Sequence, residues 1–311
     1  SRHGYFDIRP ESFVDGKFTV PLNEKEPIDL SKASFSVSPA FRTAFAKHVL
    51  GPVKEGSPAW PDLVLGRDMT SNLEIINYGR VNFSNQLPMF EEDGISPDEQ
   101  VLLYCYYIMR QHYCSSANIY KSMSVRLKAQ MEAAMGKVQL IDIGCGPATC
   151  GLAFAEQFLD TAPKMRYNGI DISVAMRNMG EKLIKDTLNE QLRYRFFESF
   201  NELNDTYWDA ISETPSLVIF NLSYFFSNVD PAFSEALANR ICDIIKKKPA
   251  NRYVFIIQHS ETDYKLNSFN VFKRVILSEN VHEVKSEKTE FTYTLSSERR
   301  LPFHYDIWES K

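Results

Sequence analysis

The sequence is poor in cysteine, glycine and proline, and it lacks a long apolar run. Its five cysteines show no paired C-x-x-C spacing, which excludes a disulfide-rich scaffold and the common zinc-finger patterns. Because no leader segment is recognisable, an odd number of cysteines predicts a reducing, cytoplasmic compartment. Thirteen glycines and 15 prolines exclude a collagen-like or low-complexity chain. The densest apolar patch, residues 101–109, is about half the length of a membrane-spanning helix, so we expect no membrane segment.

An excess of one charge sign is also absent. The chain of 311 residues carries 35 Lys and Arg against 40 Asp and Glu, a formal net charge of −5. Because there is no basic arm, strong phosphate binding is not expected, and a nucleic acid partner is possible but not favoured. What the sequence does contain is apolar material, with 44% hydrophobic and 13% aromatic residues. This composition excludes general disorder and suffices for a sizeable core.

The N-terminal third is irregular in pattern. Pro and Gly recur up to about residue 95, apart from a one-sided apolar stripe of Phe41, Phe45 and Val49 that predicts a short helix. A capping-box pattern at residues 96–99 predicts the start of a helix that ends near residue 113. A second helix is predicted over residues 118–135. These segments predict a mostly helical or irregular N-terminal extension.

From residue 137 the pattern changes to strands that alternate with helices, which is typical of a doubly wound α/β sheet. Strands are predicted over residues 138–143, 166–172, 193–197, 217–222, 253–258, 281–286, 291–295 and 301–308. Helices are predicted over residues 149–159, 173–188, 231–245 and 267–276. We therefore divide the chain into an N-terminal lid or substrate-recognition segment, residues 1–114, and a cofactor-binding domain, residues 115–311.

The most informative segment is a glycine turn after the first of these strands. The run DIGCGPA, residues 142–148, takes a strand directly through Gly-x-Gly into a helix. Glycine suits such a turn because the chain bends sharply and a ligand must approach the backbone closely. At the next strand end Asp171 follows, and an acid at this position in nucleotide-binding sheets accepts hydrogen bonds from ribose hydroxyls.

The runs at residues 142–147 and 169–176 (GIDISVAM) resemble the class I S-adenosylmethionine-dependent methyltransferases. The resemblance covers about residues 115–311 and departs from the family pattern at Ala148, which stands in place of a third glycine. It implies an α/β, Rossmann-like, doubly wound, seven-stranded sheet with a C-terminal antiparallel hairpin. It also implies S-adenosyl-L-methionine as the cofactor and methyltransferase activity.

The resemblance implies a set of cofactor-binding residues. The glycine turn would shape the pocket for the methionine moiety, with Cys145 as a small filler, and Asp171 would hold the ribose hydroxyls. Met176 would pack near the adenine, and Glu198 or Ser199 would meet the adenine amine. The full expected set is Asp142, Gly144, Cys145, Gly146, Asp171, Ile172, Met176, Glu198, Ser199 and Asn221.

The fourth strand ends where this family places acceptor-side residues. The run NLSY, residues 221–224, is similar to the Asn-Pro-Pro-Tyr motif of amino-directed methyltransferases, which implies catalytic roles for Asn221 and Tyr224. A competing interpretation is that Tyr224 lines a pocket without selecting an amine. The histidines show no ligand spacing, so no metal is expected. His259 is either a base beside the acceptor or an ordinary surface histidine.

The leading hypothesis is a methyltransferase that acts on a small molecule or an exposed polar acceptor. Two alternatives stay open. The first is an RNA base methyltransferase that uses Asn221 and Tyr224. The second is a non-catalytic cofactor-binding scaffold that acts through its N-terminal segment. The sequence determines neither the acceptor atom nor the oligomeric state.

Overall fold

The computed structural model describes residues 13–14, 17–19, 27–29, 38–55, 96–260, 266–278, 280–294 and 298–310. Near the amino end, three short strands form an antiparallel sheet that the irregular pattern did not predict: β1 (Phe13–Val14), β2 (Lys17–Thr19) and β3 (Pro27–Asp29). The predicted apolar stripe lies on α1 (Pro39–Phe45) and a π-helical turn (Ala46–Leu50), followed by α2 (Gly51–Glu55). The irregular pattern predicted for residues 56–95 lies outside the described residues.

The predicted capping box opens a long helical run. Ser96 Oγ accepts a hydrogen bond from the Glu99 N–H at 3.2 Å, and Glu99 Oε2 accepts one from the Ser96 N–H at 2.7 Å. The elements that follow are α3 (Pro97–Tyr104), a π-helical segment (Cys105–Met109), α4 (Arg110–Ser122) and α5 (Ser124–Ala133).

The prediction that this helix ends near residue 113 is wrong. Ser115 and Ser116 are polar residues that often interrupt helices, but here both are buried and remain in α4. Ser115 Oγ donates to Gln258 Oε1 at 2.8 Å, and Gln258 Nε2 donates to Ser116 Oγ. The division predicted between residues 114 and 115 therefore falls inside a continuous helix that packs on the main sheet.

The main sheet has seven strands, which confirms the predicted fold class. In spatial order its strands are β6 (Arg193–Phe197), β5 (Arg166–Ile170), β4 (Val138–Ile143), β7 (Leu217–Ser223), β8 (Arg252–Ser260), β10 (Glu298–Ser310) and β9 (Val281–Thr294). The first five run parallel, whereas β10 is antiparallel to β8 and to β9, so the sheet ends in an antiparallel hairpin. The two strands predicted at residues 281–286 and 291–295 are one strand, because the polar residues between them pair with β10.

Helices cover both faces of the sheet: α6 (Thr149–Phe158), α7 (Val174–Leu188), α8 (Asp205–Ser212), α9 (Pro231–Lys247) and α10 (Asn267–Leu277). Neighbouring residues of β4 point to opposite faces, so Leu140 belongs to one buried core and Ile141 to the other. The first core includes α1, α3, α4, α6 and α7, and the second includes α8, α9 and α10. The N-terminal helices are thus part of the core on one face of the sheet. No helix in the described ranges combines the length and apolar character needed to cross a membrane.

Candidate functional site

A cavity of about 1040 Å³ opens at the carboxyl ends of the parallel strands. The strand order reverses between β4 and β7, and such a reversal leaves the crevice in which doubly wound sheets bind ligands. Eight of the residues predicted for the site line this cavity: Gly144, Gly146, Asp171, Ile172, Met176, Glu198, Ser199 and Tyr224. Asp142, Cys145 and Asn221 are buried and are not part of its lining.

The glycine turn bends sharply, as its sequence predicted, and it does so through a left-handed backbone. Gly144 has a φ of +70° and Gly146 a φ of +53°. A Cβ at Gly144 would stand 2.7 Å from Cδ2 of Phe225, so the close approach at this position comes from an aromatic ring of the protein itself. Ala148 is also left-handed, with a φ of +61°, and is fully buried at the start of α6. The missing third glycine therefore leaves the turn intact at a cost in backbone strain.

Asp171 joins the ends of two strands at the cavity. Its Oδ2 accepts a hydrogen bond from the Gly146 N–H at 2.9 Å, and its Oδ1 accepts one from the Ser173 N–H at 2.9 Å. Burial raises the pKa of Asp171, while these backbone bonds and the Arg177 guanidinium act in the opposite direction. A carboxylate has about four lone-pair sites, so each oxygen can accept a further hydrogen bond from a ligand hydroxyl.

Asn221 lies beneath the cavity in a buried hydrogen-bond network with Asp142. Asn221 Nδ2 donates to Asp142 Oδ1 at 2.8 Å and to Ser223 Oγ at 3.2 Å, and Asn221 Oδ1 accepts from the Tyr120 hydroxyl at 2.8 Å. The Tyr167 hydroxyl donates to Asp142 Oδ2 at 2.8 Å. Burial raises the pKa of Asp142 to about 6, although the hydrogen bonds from Asn221 and Tyr167 act to lower it. Both predicted site residues therefore fix the strand ends rather than face a ligand.

Two side chains considered for chemistry are also buried. The Cys145 thiol has a pKa raised well above its usual value, mainly by burial, so it remains a protonated filler under the turn. His259 was expected either beside the acceptor or at the surface, but its side chain is buried and packs on Phe269 with ring centroids 4.3 Å apart. Burial lowers the pKa of His259 to about 4, so the imidazole is neutral near pH 7.

The end of β6 presents an exposed acidic loop. Glu198 and Ser199 both line the cavity, and Glu202 Oε2 accepts hydrogen bonds from their N–H groups at 2.7 and 3.0 Å. Ser199 Oγ accepts from the Asn201 N–H at 3.3 Å, which leaves its hydroxyl hydrogen for a ligand. Glu202, which also lines the cavity, was missed by the sequence reasoning. The Ser-x-x-Glu spacing at residues 199–202 is a capping-box pattern that could have revealed it.

Aromatic rings from distant parts of the chain form the other wall. Tyr224 has a φ of +54°, and its ring stacks on His112 with centroids 3.8 Å apart and planes 8° apart. The His112 Nδ1 and the Tyr104 hydroxyl are hydrogen-bonded at 3.2 Å. The sequence did not mark His112 as a site residue, because no local pattern indicates its approach to the end of β7.

Within the ranges that the structure describes, no three His, Cys, Asp or Glu side chains are grouped so that they could hold a metal ion. The site is therefore a cavity with an acidic loop on one side and stacked aromatic rings on the other.

Comparisons with known proteins leave the family open. No protein-family model matches the chain, and no curated protein matches its sequence. Among solved structures, magnesium protoporphyrin IX methyltransferase from Synechocystis PCC 6803 with bound SAM is 11% identical at a TM-score of 0.39, covering 82% of this chain and 100% of that one.

Two further solved structures have similar values. Precorrin-6y C5,15-methyltransferase from Geobacter metallireducens is 11% identical at a TM-score of 0.38, covering 56% of this chain and 80% of that one. A putative RNA methyltransferase from Pyrococcus horikoshii is 11% identical at a TM-score of 0.37, covering 62% of this chain and 82% of that one. At these TM-scores the likeness carries no functional information, and function has to be inferred from the site itself.

Proposed function

We propose that this chain is an S-adenosylmethionine-dependent methyltransferase that acts on a small molecule held in the cavity. The observation that supports this most directly is the position of Asp171. Its carboxylate is hydrogen-bonded to the Gly146 N–H of the glycine turn and lines a large cavity at the point where the strand order reverses.

The lining residues fit the chemical groups of this cofactor. Asp171 would accept the ribose hydroxyls, and Ile172 and Met176 supply apolar surface for the adenine. Glu198 and Ser199 offer polar groups to the adenine edge, and Gly144 and Gly146 bring backbone close to the methionine moiety. When bound, the cofactor supplies a methyl group made electrophilic by its sulfonium. The contribution of the chain is to orient the two reactants and exclude water.

The size and lining of the cavity support a small-molecule acceptor. Pockets that hold one drug-sized ligand measure about 300–1,000 Å³. A cavity of about 1040 Å³ lies at the upper end of this range, so it has room for a cofactor and part of a second ligand. The RNA alternative relied on Asn221 and Tyr224 as a pair, but only Tyr224 lines the cavity.

We further propose that the N-terminal segment serves in acceptor recognition, since Tyr104 and His112 belong to it. All five cysteines are free and buried, which supports the expected reducing compartment.

Calorimetric titration with S-adenosylmethionine and S-adenosylhomocysteine tests the proposal. We expect binding by the wild type and a loss of at least about a hundredfold in Asp171→Ala, because each hydrogen bond to a charged group contributes about 1.5–3 kcal/mol. Asp171→Asn keeps one acceptor oxygen and should give an intermediate affinity. Asp160→Ala, an exposed acid outside the cavity lining, is the matched control and should bind as the wild type does.

Three outcomes would separate the alternatives. A folded wild type that binds neither compound contradicts the proposed function altogether. Binding without methyl transfer to any acceptor favours the scaffold alternative. Salt-sensitive binding of RNA by the wild type, with methylation of a base, would favour the nucleic acid alternative over a small molecule.

A further inference from the structure

Three arginines lie at one edge of the main sheet, away from the cavity. Arg193 and Arg195 belong to the edge strand β6, and Arg166 begins the neighbouring strand β5. All three residues are exposed. Arg166 precedes Asp171 by five residues, so it lies about 17 Å along the strand direction from the carboxyl end where the cavity opens. We call these three residues the arginine cluster.

The members of the arginine cluster share one face of the sheet. Arg193 is paired with Arg166 between β6 and β5, and strand alternation puts Arg195 on the same side as Arg193. The strand spacing and rise place the three Cα atoms within roughly 8 Å of one another. The Arg195 guanidinium carbon lies 5.1 Å from the Phe197 ring centroid, a contact that orients the group and leaves its charge in place. Burial raises the pKa of the Tyr207 hydroxyl, and Arg166 and Arg195 act to lower it, so both charges lie near this hydroxyl of α8.

No carboxylate neutralises the arginine cluster in the part of the chain that the structure describes. None of its three guanidinium groups forms an ion pair there. The two acids of α8 pair instead with basic residues at α9: Asp205 with Arg240 and Lys247, and Asp209 with Lys248. Like charges at paired positions of neighbouring strands repel each other, so an anion bound between them would stabilise the arrangement.

An uncharged donor lies beside the arginine cluster. Gln139 is 7% exposed and is paired with Arg166 between β4 and β5. Its Oε1 accepts hydrogen bonds from the Tyr207 hydroxyl and from Asn168 Nδ2, each at 3.5 Å. Its Nε2 has no hydrogen-bond partner among the described residues, so this amide group remains a donor for a ligand beside Arg166.

We propose that the arginine cluster, together with Gln139 Nε2, binds a phosphate group. Three positive charges without a carboxylate favour a ligand with more than one negative charge, and a phosphate monoester carries about −1.5 to −2 at pH 7. Each guanidinium fork can bond two phosphate oxygens at once, whereas a carboxylate offers one charge and two oxygens in all. The site lies toward the amino ends of the strands and is separate from the cavity, so it does not depend on the function proposed above.

The first experiment measures thermal unfolding in sodium phosphate and in sodium chloride of equal ionic strength. Phosphate stabilises folded proteins in general, so the informative quantity is the difference between chains. With phosphate at about ten times its Kd, we expect the Tm of the wild type to rise by about 2 °C more than that of the double variant Arg193→Gln, Arg195→Gln. Arg252→Gln is the matched control, since this exposed arginine begins β8, about 14 Å across the sheet from Arg166. Its Tm should rise as far as that of the wild type.

The second experiment measures binding directly, by calorimetric titration of the folded chains with pyrophosphate at low ionic strength. Arg193→Gln should weaken the affinity by about tenfold or more, because a hydrogen bond between charged groups is lost. Arg166→Lys keeps the charge without the fork, so it should weaken the affinity less than Arg166→Gln does.

A labelled single-stranded RNA distinguishes the two sources of a phosphate group. If the site holds a nucleic acid backbone, the logarithm of Kd changes with the logarithm of the salt concentration by about 0.7 for each phosphate contacted, and the double variant should lower this slope by about 1.4. If RNA binds no more tightly than pyrophosphate and the slope is the same in both chains, the ligand is a free phosphate ester.

Three results would overturn the phosphate site. The first is an equal rise of Tm in the wild type and the double variant. The second is an equal affinity for pyrophosphate in the wild type and Arg193→Gln. The third is a loss in Arg252→Gln as large as in the double variant, which would show that only net charge matters. The double variant should bind S-adenosylhomocysteine as the wild type does, so a failure of this inference is distinguishable from a failure of the proposed function.

Discussion

Asn221→Leu tests whether Asn221 stabilises the strand ends or acts on an acceptor. The substitution keeps a similar side-chain volume and removes both hydrogen-bonding groups. In the wild type Asn221 is fully buried, donates to Asp142 and accepts from Tyr120. If this network has the role that the structure indicates, the variant loses stability even when no acceptor is present.

The expected loss follows from the bonds that are broken. A hydrogen bond to the Asp142 carboxylate contributes about 1.5–3 kcal/mol, and the Tyr120 hydroxyl left without Asn221 costs about 1–3 kcal/mol. Burying the extra apolar surface of leucine offsets about 1–2 kcal/mol. The net expectation is a decrease of about 2–4 kcal/mol in the free energy of unfolding, which is a large share of the usual total of about 5–15 kcal/mol.

Urea denaturation followed by the fluorescence of the buried Trp208 and Trp308 measures this change. Tyr120→Phe removes one bond of the same network, and the double variant with Asn221→Leu should show a coupling energy of about 0.5 kcal/mol or more. Tyr305→Phe is the matched control, because its hydroxyl bonds the half-exposed Glu287 and water can replace that contact. An Asn221→Leu chain with wild-type stability and impaired methyl transfer would refute this reasoning and restore the catalytic role.

Two further predictions concern the turn and the buried carboxyl. Gly144→Ala should destabilise the protein by about 1–3 kcal/mol in the same assay, because the φ of Gly144 is +70° and a Cβ there would stand 2.7 Å from the Phe225 ring. Adding Phe225→Leu to this variant should recover part of the lost stability. A Gly144→Ala variant as stable as the wild type would contradict this account. The pKa of Asp142 is raised by burial from 3.8 to about 6, so the folded state binds more protons than the unfolded state between these values. The Asp142 contribution to stability therefore falls by about 3 kcal/mol as pH rises through that window. Urea titrations at several pH values should show this slope in the wild type and a flatter one in Asp142→Asn, and equal slopes would argue against it.

The local signals at the cofactor side could be predicted from the sequence. The strand before Gly144, the left-handed turn and Asp171 at the next strand end all lie within about thirty consecutive residues of a single strand–helix–strand unit. These three features depend on local backbone conformation and on the alternation of strands with helices, and short segments of sequence encode both directly. The same holds for the capping box at Ser96, where two side chains three residues apart satisfy each other's N–H groups.

The burial of Asn221 and Asp142 could not be predicted in this way. Both residues stand at strand ends, where a polar side chain can face either the ligand or the interior. The choice is made by Tyr120 and Tyr167, which reach the pair from α4 and β5 and satisfy its polar atoms. A sequence pattern at residues 221–224 contains no information about a hydroxyl that arrives from a hundred residues away.

The sequence by itself determined the doubly wound sheet, the glycine turn and the acid beside it, because each follows from local periodicity and backbone preference. Only the tertiary structure decided which polar groups line the cavity. It placed His112 against Tyr224 by docking α4 on the sheet, and it withdrew Asn221 into a buried network. The physical reason is that side-chain exposure is set by packing between segments distant in the chain, whereas strand and turn formation is set largely by neighbours in sequence.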